Sequence, residues 1–259
     1  MTLAHVRRGS GAPLLLVHGV GSQRQMWEPV LDLLARERDV IAVDLPGFGD
    51  SPVLREKPTV EALARAVAGW LDELGLARPH AAGNSLGGGV ALELARLGRA
   101  RSVCALSPAG FGTKREGSWS RFLLESSHRA ARLLDPVAEL VMGGPARRTL
   151  ACWQLVARPW RIPPAAAVCA MRNLARSPGF EATLAALADH RFEGASTPCP
   201  VTVAWGEHDR LLLFRRHSAR ARRVLPLARH VTLHGCGHVP TWDDPEQVAQ
   251  VLLEASARG

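Results

Sequence analysis

Residues 83–87 read Gly83-Asn84-Ser85-Leu86-Gly87, followed directly by Gly88 and Gly89. A short apolar run, His80–Gly83, precedes the string, and a helical pattern, Leu86–Leu97, follows it. A strand that passes straight into a helix must turn sharply, and side chains at the flanking positions would clash, which accounts for Gly83 and Gly87. The turn lifts the Ser85 hydroxyl clear of the sheet, at a helix N-terminus where backbone N–H groups favour developing negative charge. Gly88 and Gly89 let the helix pack closely. A glycine-rich turn with an incidental serine would carry the same letters, so the partners of Ser85 decide its meaning.

A serine hydroxyl is a poor nucleophile until a base takes its proton. Two further strand ends supply candidates. Trp205-Gly-Glu-His-Asp209 follows the strand-like PVTVA, and Gly235-Cys-Gly-His238 follows RHVTL. Parallel strands deliver all three side chains to one edge of the sheet, where α/β proteins place their sites. The order Ser85, Asp209, His238 is the nucleophile, acid, base order of a triad in this topology. His238 is then the general base, and Asp209 holds its tautomer. His208, beside Asp209 on an extended loop, points elsewhere, and His234 lies on the strand. His234 and His238 stand four apart, but on strand and loop rather than on a helix, so no metal site is expected.

A tetrahedral intermediate needs two donors for its oxyanion. Leu86 offers one backbone N–H, and the loop His18-Gly19-Val20-Gly21-Ser22 offers the second, assigned to Val20. His18 and Gly19 support that loop, and Asp44 braces a turn at the end of its own strand.

Along the chain, strand-like runs at Pro13–Val17, Val40–Val43, His80–Gly83 and Ser102–Leu106 alternate with helical stretches near 25–36, 60–74 and 86–97, the second capped by Thr59. From Pro108 to about Pro198 strand-like runs vanish. Helical segments take over near 118–134, 136–142, 147–157, 163–176 and 179–190. Strands resume at Pro200–Trp205 and Arg229–Leu233, with helices near 213–223 and 244–256. Residues 1–107 and 198–259 therefore read as one sheet domain, interrupted by a helical cap over 108–197. Trp119, Phe122, Leu123, Leu124, Trp153 and Trp160 are candidate lining residues of the cap, with cap core packing as the alternative, and Val239 is a candidate beside the base.

The chain has 259 residues, 47% hydrophobic and 22% charged, which excludes a disordered, collagenous or disulfide-stapled protein. A chain of this length buries roughly 70–75% of its unfolded surface and needs no metal or disulfide to hold its core. Its 32 Lys+Arg against 24 Asp+Glu give +8, but the arginines are spread among acids. The densest group, Arg215, Arg216, Arg220, Arg222 and Arg223, reads as a solvated helix face, so neither a nucleic-acid nor a membrane partner is expected. Five unpatterned cysteines, no leader-like start and no long apolar run predict a cytoplasmic protein with free thiols.

His18-Gly19, Asp44-Leu-Pro-Gly-Phe-Gly-Asp-Ser51, the Gly83–Gly87 turn, Trp205-Gly-Glu-His-Asp209 and Gly235-Cys-Gly-His238 together resemble the α/β-hydrolase fold superfamily, over about residues 11–110 and 198–255. The resemblance implies an α/β fold with a mostly parallel sheet of about seven strands, an inserted helical cap and Ser-His-Asp catalysis through an acyl-enzyme, with no cofactor. Members that cleave epoxides or carbon–halogen bonds usually carry Asp where this chain has Ser85. The family sheet usually opens with an antiparallel hairpin. One strand, near Leu3–Val6, fits here, and the other is expected to be missing.

The expected activity is hydrolysis of a small-to-medium carboxylic ester, thioester or lactone. One alternative is carbon–carbon hydrolysis, since the meta-cleavage product hydrolases share a Gly-Asn-Ser turn. That reading asks for a cap arginine in the pocket, Arg172 or Arg176, and the sequence lacks the Trp that often follows the base in that group. Another alternative is a hydrolase-fold receptor with slow or single turnover.

Overall fold

The computed structural model describes residues 1–194 and 197–258; residues 195–196, inside the expected cap, and Gly259 lie outside the described part. Seven strands form one sheet: β1 (His5–Arg8), β2 (Ala12–Val17), β3 (Arg38–Val43), β4 (His80–Asn84), β5 (Val103–Leu106), β6 (Val201–Gly206) and β7 (Arg229–Leu233). Their spatial order is β1-β3-β2-β4-β5-β6-β7. Only β1 runs antiparallel, pairing His5 with Val43 and Arg8 with Val40. It starts two residues later than the apolar letters predict. Leu3 is buried outside the strand, and the ladder continues through Arg7 and Arg8, which suit an exposed edge and carry no hydrophobic signal.

The parallel strands β2, β4 and β5 are almost continuously apolar because helices cover both faces. Alternation along β2 divides the core. Leu15 and Val17 pack with helices α2 (Val60–Glu73) and α3 (Leu86–Arg96). Leu14 and Leu16 pack with α1 (Glu28–Ala35) and α10 (Pro245–Ser256) on the other face. Thr59 caps α2 as expected, its Oγ1 accepting from the Ala62 N–H at 3.2 Å.

Between β5 and β6 the chain is helical: α4 (Lys114–Leu134), α5 (Ala138–Gly143), α6 (Pro145–Cys152), α7 (Pro164–Arg176) and α8 (Phe180–Leu187). Helix α4 begins four residues before the apolar pattern does, because Thr113 and Glu116 form a capping box. Helix α6 stops at Cys152, and residues 153–158 leave helical geometry to meet the loop after β7. The insertion has a small core of its own, including Met142, Val156, Ile162 and Met171, against which Val239 and Trp242 of the sheet domain pack. After β6, α9 (Phe214–Val224) exposes Arg215, Arg216, Arg222 and Arg223, whereas Arg220 turns inward to pair with Glu116 of α4. All five cysteines are free, and among the described residues no helix is long and apolar enough to cross a membrane.

The turn from β4 into α3 passes against the end of β2. A Cβ on Gly87 would lie 2.1 Å from the Val17 carbonyl oxygen, and one on Gly83 would lie 2.1 Å from that of Gly87. These obstacles are backbone atoms and cannot swing away. Gly87→Ala is therefore expected to lose about 3 kcal/mol or more of stability, read as a lowered urea midpoint with an unchanged slope.

Candidate active site

The C-terminal ends of β2, β4, β6 and β7 lie along one edge of the sheet, and their loops converge there. At the end of β4, Ser85 adopts φ 58° and ψ −116°, a conformation costly for any residue with a Cβ. Hydrogen bonds hold it there. Its N–H donates to the Leu106 carbonyl at 2.9 Å, and its carbonyl accepts from Gly89 at 3.1 Å and Ala109 at 2.9 Å.

At the end of β6, the Asp209 side chain is wholly buried. Its Oδ1 accepts from the N–H groups of Leu211 at 3.0 Å and Leu212 at 2.8 Å. Its Oδ2 accepts from Trp205 Nε1 at 3.2 Å and from His238 Nδ1 at 2.8 Å. An ionised carboxylate only accepts, so the imidazole proton sits on Nδ1 and Nε2 is left as an acceptor. That Nε2 is buried and has no partner among the described residues. Asn84 Nδ2 fixes the backbone of the same histidine by donating to its carbonyl at 2.8 Å.

The loop after β2 lies over Ser85. A Cβ on Gly19 would approach Ser85 Cβ to 3.2 Å, so glycine allows the close passage. His18 holds this loop from beneath, its Nδ1 donating to the Gly19 carbonyl at 2.7 Å and its Nε2 accepting from the Leu45 N–H at 2.9 Å. Both bonds need the neutral ring, and burial lowers its pKa accordingly. Asp44 is a turn brace, accepting from the N–H groups of Arg24 at 2.7 Å and Asp50 at 3.0 Å and pairing with the Arg24 guanidinium. The Val20 and Leu86 amides donate to no acceptor among the described residues.

A residue that the sequence did not point to ties the site to the helical insertion. Asp243 is buried and accepts from three backbone N–H groups: Gly237 at 2.8 Å, Ala157 at 3.0 Å and Arg158 at 2.7 Å. Val239 adds a bond from its N–H to the Leu155 carbonyl at 2.7 Å. The loop that carries His238 is thus laced to residues 155–158. The only trace of this in the sequence is an acidic residue shortly after the histidine.

Ser85, His238, Val20 and Gly19 share a cavity of about 760 Å³ with the insertion. Of the predicted lining residues, Trp153 and Val239 face it, as do Leu123 and Leu124. Trp119 and Phe122 do not. Helix α4 turns Leu123, Ser127 and Leu134 inward, which carries Phe122 round to solvent at 62% exposure. Trp119 lines a separate hollow with Arg115, Arg210 and Arg216. Trp160 is also exposed. Arg172 and Arg176 pair with Asp135 and Glu139 on the outside of the insertion and stay out of the cavity.

The alpha/beta hydrolase family profile matches residues 14–251. The chain belongs to that family. It is 31% identical over 245 residues to the dihydrolipoyllysine-residue acetyltransferase component of the acetoin cleaving system of Pseudomonas putida. That match spans 94% of this chain but only 63% of the relative. It is also 33% identical over 199 residues to an epoxide hydrolase of Mycobacterium tuberculosis, covering 73% of this chain and 91% of that one. Among solved structures, a thermophilic esterase from Thermogutta terrifontis superposes with a TM-score of 0.77 at 28% identity, over 97% of this chain and 92% of that one.

Two outcomes follow for stability. Asp243→Ala strands three N–H groups, that of Gly237 buried and those of Ala157 and Arg158 part-buried, and is expected to cost about 3 kcal/mol by chemical denaturation. Beneath the site, His217 packs against Trp205 with neither ring nitrogen hydrogen-bonded, and burial, outweighing Glu116 at 3.8 Å from Nε2, pushes its pKa down to about 4. The unfolded chain binds this proton near pH 6.5 and the folded chain only near 4, so stability falls as pH drops through that window, by about 3 kcal/mol. Burial lowers His18, His80, His128 and His190 in the same direction. Urea midpoints recorded down this window should fall less steeply in His217→Leu; identical slopes would contradict the assignment.

Proposed function

We propose that this chain is a serine hydrolase of carboxylic esters, thioesters or lactones that works through an acyl-enzyme on Ser85. The observation that carries the reading is the bond from His238 Nδ1 to Asp209 at 2.8 Å, which leaves a buried, unpartnered Nε2 in the cavity that Ser85 also lines. In this reading Nε2 takes the Ser85 proton as Oγ attacks the carbonyl carbon, and Asp209 stabilises the imidazolium. The Val20 and Leu86 amides receive the oxyanion. His238 then returns the proton to the departing alcohol or thiol, and water repeats the sequence to release the acid.

Ester chemistry is favoured over the epoxide opening of the mycobacterial relative by the nucleophile itself. A carboxylate that opens an epoxide leaves an ester, which water can cleave. The Ser85 oxygen would leave an ether with no carbonyl to attack, and the enzyme would stop after one event. Carbon–carbon hydrolysis of a carboxylate-bearing dienol loses support because Arg172 and Arg176 are spent on outer ion pairs.

A fluorophosphonate probe is expected to label Ser85 in the native protein. Ser85→Ala and His238→Ala should each lower kcat/KM on p-nitrophenyl esters by about four orders of magnitude. An unlabelled native protein, or near-normal turnover by either variant, would falsify the assignment.

A further inference from the structure

The cavity wall contributed by the insertion is mostly apolar, and one of its polar residues is held deep inside it. The charged side chains that line the cavity, Glu28 and Arg147, are both exposed. Among the described residues, Gln154 is the only polar residue of the insertion that both lines the cavity and is more than nine-tenths buried, at 7% exposure. Its orientation follows from its neighbour. The Ser127 hydroxyl donates to the Leu123 carbonyl one turn back at 2.8 Å, so its single proton is committed. The Ser127 oxygen can then only accept, and Gln154 must present its NH₂, which it does at 2.7 Å. The amide is thereby held through its NH₂, and no hydrogen bond from the described residues reaches Oε1 of this cavity-lining side chain.

From this geometry, and resting on the esterase reading above, we propose that Gln154 Oε1 is a specificity determinant. It accepts a hydrogen bond from a hydroxyl or amide N–H on an otherwise apolar, uncharged acyl group. An amide oxygen with no protein donor is strongly hydrogen-bonding, and an alkyl chain laid over it leaves it unpaired. A site built around such a group discriminates against the analogue that lacks the donor far more sharply than an apolar pocket discriminates by size. Among the described residues no buried lysine or arginine lines the cavity, so a carboxylate drawn into this wall would find no counter-charge and the acyl group must be neutral.

The test is a matched set of p-nitrophenyl esters: octanoate, its analogues with a hydroxyl near the carbonyl, mid-chain or at the chain end, and the corresponding half-ester of the dicarboxylic acid. The wild-type enzyme is expected to favour one hydroxyacyl ester over plain octanoate by at least about 10-fold in kcat/KM, and to disfavour the half-ester. Gln154→Met should erase that preference while speeding the plain ester. Ser127→Ala, which removes the acceptor that orients the amide, should weaken the preference and serves if Gln154→Met folds poorly. Equal rates for all neutral esters, or a preference that survives in both variants, overturns the role of Gln154 while leaving the esterase reading intact. Absence of Ser85-dependent hydrolysis across the set overturns both.

Discussion

The close passage of backbone against backbone at the β4–α3 turn is the constraint on which the site depends. Gly87 lies so near the Val17 and His18 carbonyls that no Cβ fits between them. This contact fixes the height at which Ser85 leaves the sheet and presses it beneath the loop after β2. The strained φ of Ser85 persists because the Leu106, Gly89 and Ala109 bonds around it leave the backbone no relaxed alternative. One packing contact therefore sets both the position of Ser85 and its distance to the amides proposed to receive an oxyanion.

The second organising element is the seam between the sheet domain and the helical insertion. The Asp243 carboxylate binds Gly237 on one side and Ala157 and Arg158 on the other, one residue away from the candidate base. Three N–H donors offset much of the penalty of burying that charge, although burial still raises its pKa. The segment it grips leads back directly to Trp153 and Gln154 in the cavity wall. The wall and the loop that carries His238 share these bonds, so opening the cavity at this seam would also disturb His238.

The strands and the converging loops could be read from letters because their signals are local. Apolar runs of period two or continuous burial marked β2 to β7, and the turn residues after them marked the loops. Edge strand β1 was displaced because Arg7 and Arg8 belong to a ladder whose stability comes from β3, not from their own hydrophobicity. Helix α4 was shortened because its start is written in the Thr113–Glu116 cap and not in apolar spacing. Trp119 and Phe122 are candidates for the cavity or for the core of the insertion by residue type, whereas the rotation of α4 about its axis puts them outside both.

By itself the sequence determined the fold and the identity of Ser85, Asp209 and His238 as the residues that the strand ends present, because periodicity, turn chemistry and chain order are properties of neighbours in the chain. The tertiary structure alone decided that Nδ1 of His238 faces Asp209, that Asp243 joins the His238 loop to the insertion, and that Gln154 rather than Trp119 or Phe122 meets the cavity. These rest on contacts between residues 29 to 86 positions apart or on helix rotation. Their energies depend on burial and direction, which no local pattern of letters encodes.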